Sequence, residues 1–282
     1  MLFKRLLAAT ALSLVATSAL AATASAPAAT TPAAATTAAQ KSAAPQKPTP
    51  PPKPIPATPE ERAMVERMEP LARAAFWARE VGNFPMDYDA RLRLARAMRA
   101  LGRFEEAGAA ADQLLVLQPS NLEALLESAR DKIANNQGFY AIDLAQRAET
   151  LAPRDWRPVS LLAVALEQSS RDSEALTAHR KALALAPDNP ATLTNLGMYM
   201  AVHGDPAGAE PMLRKAAAAP GASAQERQNL ALVLGLEGKF EEAERLARQD
   251  LPPDVVQNNL AYLHADANGA QPRTWDSLRQ PQ

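Results

Sequence analysis

The chain has 282 residues, 22% of them charged, and a formal net charge of −1, which argues against a strongly basic nucleic-acid binder. It contains no cysteine, and that excludes disulfides, thiolate metal sites, thiol nucleophiles and a cysteine-linked lipid anchor.

In chain order, the first segment reads as a secretory signal peptide, 1–21. Lys4 and Arg5 precede an apolar run from Leu6 to Leu20, and Ala19-Leu20-Ala21 supplies the small residues of a cleavage point. The expectation is export to the periplasm. Membrane association through an uncleaved anchor is the alternative, because Ala-rich apolar sequence continues to Ala26. Residues 22–58 are built from Ala, Thr, Pro, Ser and Lys and predict a disordered linker, semi-rigid where Pro48 to Pro56 cluster. Setting aside Lys4, Arg5, Lys41, Lys47 and Lys53 leaves 25 basic against 31 acidic residues, so a folded part beginning near Pro59 is acidic and suits neither nucleic acid nor anionic lipid.

Residues 59–87 predict N-terminal capping helices, interrupted at Pro70. Beyond them a period appears. Gly102-Arg103-Phe104-Glu105-Glu106-Ala107 returns as Gly238-Lys239-Phe240-Glu241-Glu242-Ala243, 136 positions later, which is four times 34. Blocks drawn on that period (88–121, 122–155, 156–189, 190–223 and 224–253) place small residues in two columns. Ala95, Ala129, Ala163, Gly197 and Ala231 stand eighth; Ala107, Ala141, Ala175, Ala209 and Ala243 stand twentieth. Leu94, Leu162, Leu196 and Leu230 stand seventh, and Pro119, Pro153 and Pro187 stand thirty-second.

Each block therefore predicts two helices joined by a tight turn. Gly102, Gly204 and Gly238 at the fifteenth place end the first helix at positive φ, acids begin the second, and proline closes it. The small columns let the helix backbones approach. A helix over 254–267 caps the stack, and a polar tail, 268–282, carries Trp275 within TWDSLRQ as a docking candidate.

Candidate chemistry is sparse. His179, His203 and His264 fall in different blocks with no adjacent carboxylate or cysteine that reads as a metal site, and no phosphate loop, nucleophile elbow or zinc-protease helix occurs. Glu105-Glu106 and Glu241-Glu242 sit where helix starts favour negative charge. The expectation is a protein that is not an enzyme, with no cofactor, no metal and no small-molecule substrate.

Stacked helix pairs instead offer a concave surface lined by their first helices, suited to a protein or peptide partner. Asn195 and Asn229 occupy the sixth place and Asn259 its counterpart in the last helix, whereas Arg93, Glu127 and Leu161 stand there earlier. Spaced asparagines offer donor and acceptor together and can hold an extended peptide backbone. Beside them lie Met198, Val202, Leu232 and Leu236, with Arg96, Arg99 and Arg130 in front. This predicts a groove basic at its front and apolar behind, fitted to a partner with an acidic stretch next to a hydrophobic one.

A 34-residue helical pair with Leu, small, Ala and Pro at these spacings resembles the tetratricopeptide repeat (TPR). The large aromatic usual near the start of the first helix is replaced by Arg91, Leu125, Val159, Leu193 and Arg227. More narrowly, AAFWAREV (74–81), PRDWR (153–157) and RQNLALVLGLEGKFEEAERLARQDLPPD (227–254), followed by NNLAYL, resemble the TadD-type proteins of tight-adherence (Flp) pilus assembly. That resemblance implies an all-α TPR solenoid acting as a non-catalytic envelope scaffold, with a pilus secretin or another assembly component as partner. Some members are outer-membrane lipoproteins; the missing cysteine departs from that pattern. The alternatives are a general periplasmic adaptor and a regulatory subunit for another envelope process.

Overall fold

The computed structural model describes residues 54–267, and among them thirteen helices and no strand occur. The signal-peptide and tail assignments lie outside the described residues, as does most of the linker.

Two helices, α1 (Pro59–Val65) and α2 (Pro70–Asn83), form the front cap. Pro70 is the first residue of α2, where its missing N–H costs nothing, so it starts a helix and breaks none. The cap begins two residues before the expected boundary. Thr58 closes a capping box with Glu61, and the Ala57 N–H donates to Glu80 Oε2 at 3.0 Å, which draws both residues out of the linker and into the fold. Trp77, fully buried, donates its indole N–H to Glu66 Oε1 at 3.1 Å. The guanidinium groups of Arg62 and Arg93 lie over its ring, 5.6 and 5.3 Å from the centroid.

Five helical pairs follow in the predicted register. The first helices are α3 (Tyr88–Ala100), α5 (Leu122–Ala134), α7 (Trp156–Gln168), α9 (Pro190–Val202) and α11 (Ala224–Leu236). The second helices are α4 (Phe104–Leu117), α6 (Gly138–Leu151), α8 (Asp172–Leu185), α10 (Pro206–Ala217) and α12 (Phe240–Ala247). Every first helix begins at a block boundary, and every second helix begins at the seventeenth place. The last helix, α13 (Pro253–Ala267), starts five residues before the period would put it.

Sequence chemistry explains both sets of ends. The residue before each first helix is Asp87, Asn121, Asp155, Asn189 or Ser223, and each side chain accepts from a backbone N–H of the first turn, at 2.9 to 3.1 Å. These five caps form a further column of the period. The joints all use left-handed backbone. Gly102, Gly204 and Gly238 have φ of 73°, 90° and 78°, and the blocks without glycine place Asn136 (φ 56°) and Ser170 (φ 58°) at the same position.

Both small columns are buried, from Ala95 through Ala231 and from Ala107 through Ala243. A Cβ on Gly197 would stand 3.0 Å from Leu213 Cγ, which shows how closely α9 and α10 approach. Arginine replaces the usual aromatic at the fourth place of the first and last blocks by tying down loops. Arg91 donates to Gln113 Oε1 at 2.5 Å and to the Pro85 carbonyl at 2.9 Å; Arg227 holds Asp250 at 2.8 and 2.5 Å. The main core runs through the second and third blocks, around Leu125, Leu126, Val159 and Leu166, with a second around Leu213, Leu230 and Leu234.

Consecutive first helices pack on one another, whereas second helices are held apart, so the stack curves with α3, α5, α7, α9 and α11 along its inner side. No helix among the described residues is long and apolar enough to cross a membrane.

Candidate functional site on the inner face

The inner face has two unlike halves. In front, the arginines expected to give the groove a basic mouth are engaged by acids. Glu127 on α5 is buried and accepts from Arg96 Nε at 3.0 Å, from Arg130 Nη1 at 3.0 Å, and from Arg99. Arg96 also reaches Glu123 Oε2 at 2.8 Å, and Glu123 in turn accepts from Arg157 Nη1 on α7 at 2.9 Å. Toward the cap, Arg93 bridges Asp89 at 2.8 Å and Glu66 at 3.1 Å, and Arg62 bridges Asp87 and Asp89. The ion pairs thus form two clusters, one joining α3, α5 and α7 and one joining α3 to the cap, and they neutralise the arginines that the sequence offers to an acidic partner.

Asp131, one turn beyond Glu127, is the least satisfied member. Its side chain is buried, neither carboxyl oxygen has a hydrogen-bond partner among the described residues, and Arg99 Nη1 lies 3.8 Å away. Burial pushes this carboxyl up to about 7 against the pull of Arg99 and Arg130. Burial also lowers Arg99 to about 10, with repulsion from Arg130 and Arg96 adding to it, and lowers Arg130 in the same way. Desolvation therefore outweighs attraction at the centre of the network.

The rear half is different. Met198 and Val202 on α9 and Leu232 and Leu236 on α11 are half-buried; Met198 and Leu236 pack against the rear core, leaving Val202 and Leu232 as the apolar side chains outside it. The asparagines are not equivalent. Asn195 is half-buried and donates from its amide to Ser160 Oγ on α7 at 2.9 Å, a tie between neighbouring blocks. Asn229 is buried and accepts from Gln225 Nε2 at 3.0 Å on its own helix. Asn259 is exposed on α13. The sixth-place register puts them in a row, but two of the three have protein partners. The structural residues Pro119, Pro153 and Pro187 each follow the end of a second helix by two residues, and Pro119 also offers its carbonyl to Arg147 at 2.7 Å.

Two histidines acquire carboxylate neighbours that the sequence separates. His179 Nε2 is 3.6 Å from Glu167, His203 Nε2 is 3.6 Å from Asp172, and both rings flank Tyr199, at 5.2 and 3.9 Å between centroids. Tyr199 spans two blocks by donating its hydroxyl to the Asp172 carbonyl at 2.8 Å. Among the described residues no group of three His, Asp or Glu side chains is placed to hold a metal ion. The acid pairs stand in the first turns of α4 and α12, with Glu106 bound to Arg103 and Glu242 to Arg214.

Asp131, Glu123 and Arg157 escape a reading by columns because their partners lie 27 to 34 residues away. The signal was available in the helix wheel: Glu123, Glu127 and Asp131 follow one another at intervals of four, one block behind Arg96 and Arg99.

No protein-family profile and no curated protein matches the sequence. Solved structures do. A tetratricopeptide repeat protein from Parabacteroides merdae superposes with a TM-score of 0.60 at 13% identity, covering 74% of this chain and 86% of that one. TTC0263, a thermophilic TPR protein of Thermus thermophilus, gives 0.56 at 22% identity over 63% of this chain and 98% of its own. PilF of Pseudomonas aeruginosa gives 0.50 at 20% identity over 65% and 86%. At these identities the likeness concerns the fold, and with the 34-residue register it makes this chain a TPR-type helical solenoid.

Proposed function

We propose that the protein is an exported, non-catalytic scaffold that holds a protein partner on the rear half of its inner face and serves in assembly of the tight-adherence (Flp) pilus secretion apparatus. One observation carries the binding part: Val202 and Leu232 stand half-exposed on adjacent first helices, outside the packed core, beside the polar edge of Asn195. The front half takes another role than the one its arginines suggest. Glu127 and Glu123 already occupy them, so an acidic stretch of the partner would have to displace the arginines from the buried Glu127 carboxylate and leave it without its partners. That half is a rigid polar wall, and the partner segment lies apolar side down on α9 and α11. The pilus part rests on the resemblance of 74–81, 153–157 and 227–254 to TadD-type proteins, with a secretin or neighbouring assembly component as partner. Export rests on the 1–21 pattern.

The two parts have separate tests. A photo-crosslinker at Leu232 in the bacterium that makes the protein is expected to give an adduct with a component of the pilus secretion apparatus, and Val202→Asp is expected to remove it while the helical circular dichroism stays intact. An adduct that survives Val202→Asp overturns the groove. Absence of a secretory ATPase, a secretin and a very short pilin from the neighbouring genes overturns the pilus assignment alone. For export, N-terminal sequencing of the mature chain is expected to start at Ala22; a start at Met1 in the membrane fraction refutes cleavage.

A further inference from the structure

Between the last two helices, away from the inner face, lies a cleft of about 650 Å³ lined by Gly238, Lys239, Phe240, Glu241, Glu244, Leu260 and His264 among others. That volume lies within the range of ordinary ligand pockets. Its floor is an aromatic platform: Phe240 of α12 and His264 of α13 stack with centroids 3.7 Å apart and ring planes inclined by 29°. α13 begins five residues before the period would put it, and the cleft opens at the joint between α12 and α13.

We propose that this cleft is the seat of the chain's own C-terminal segment, with Trp275 laid on the Phe240–His264 platform. Three observations name that occupant. First, the chain leaves α13 at Ala267, three residues after His264. From Ala267 to Trp275 is eight residues, a reach of up to about 27 Å, which is ample for a turn back at Gly269. Second, the segment brings large apolar side chains of the right kind: Trp275 and Leu278, three apart in an otherwise polar stretch, and an indole on an aromatic floor buries about 150–250 Å². Third, the charges are complementary. Glu242 and Glu244 are paired with Arg214 and Arg248, whereas Glu241 has no ion pair among the described residues, and Arg273 and Arg279 flank Trp275. The lining residues Lys239, Glu241, Glu242, Glu244 and Arg245 sum to one negative charge, and 268–282 to one positive. A seated tail covers the open side of the cleft at the last joint. The inference is independent of the partner groove on α9 and α11.

The test uses the full chain labelled with ¹⁵N, the Trp275 indole resonance being assigned by Trp275→Phe. It is expected away from the position of a free indole, and Glu241→Lys and Leu260→Asp are each expected to move it toward that position. Amide exchange in α12 is expected to quicken on the order of tenfold in Trp275→Ala with unchanged circular dichroism. A wild-type resonance at the free-indole position, or one that neither cleft variant moves, overturns the proposal. A shifted resonance that returns to the free position on dilution overturns it in favour of a second copy as occupant.

Discussion

Replacing Asp131 by asparagine tests the claim that desolvation dominates the front network. The aspartate is 1% exposed, and facing it are Arg99 from α3, Asp112 from α4, and Glu127, Arg130 and Lys132 on its own helix. A carboxyl that ionises at about 7, where an unfolded chain ionises near 3.9, makes the folded state pay for charge above pH 7. At about 1.4 kcal/mol per pH unit the ceiling is about 4 kcal/mol, and relaxation with water entry brings the expectation to about 1–3 kcal/mol. The sign follows from proton binding: between about pH 4 and pH 7 the folded chain holds a proton that the unfolded chain has lost, so this group's contribution falls as pH rises through that window. Asp131→Asn is isosteric and leaves Arg99 its bond to Glu127. In urea titrations the variant is therefore expected to exceed the wild type by about 1–3 kcal/mol at pH 8, with the difference shrinking toward zero at pH 5. A variant less stable at pH 8, or a gap that does not change with pH, refutes the argument and makes the Arg99 attraction the dominant effect.

Glu127→Ala removes the buried acceptor shared by Arg96, Arg99 and Arg130, leaving Arg96 only Glu123, and is expected to cost about 3–5 kcal/mol in the same titrations. Ser170→Gly removes the penalty of a side chain at φ 58° and is expected to raise stability by about 1 kcal/mol, whereas Gly102→Ala, at φ 73°, is expected to lower it by a similar amount; calorimetry distinguishes the two signs. Ala175→Trp, which drives an indole into a fully buried place between α7 and α8 in the middle of the stack, is expected to depress the melting temperature more than Ala265→Trp in α13.

The architecture was legible because the period repeats backbone requirements: a left-handed joint, two places without room for a large side chain, and a proline two residues past three of the second helices. A fifth requirement was equally present and went unread, the cap at Asp87, Asn121, Asp155, Asn189 and Ser223, since three different residue types meet it. Asn136 and Ser170 likewise stand where glycine was expected, because asparagine tolerates that conformation and serine is held there by the helices on either side. The inner face was legible only as a set of positions. Register placed Arg96, Arg130, Asn195 and Asn229 on it, but pairing depends on distances between blocks, which a column does not contain. Hence the basic mouth resolved into a neutral lattice, and the asparagine row into one bridge between blocks, one bond within a helix and one exposed amide.

The division of the inner face means that the two ends of the protein answer to different solvents. Among the front ties, those at Arg93, Arg96 and Glu123 are partly exposed, so added salt weakens them as it weakens the rear pairs at Arg214 and Lys239; the rear also has an apolar core around Leu213, Leu230 and Leu234, which salting-out ions tighten. As ionic strength rises, the least stable place moves toward the cap near Trp77, while α9 to α12 hold. Because stacked repeats unfold from whichever end is weaker, the ionic strength of the surrounding medium chooses the end from which this one frays.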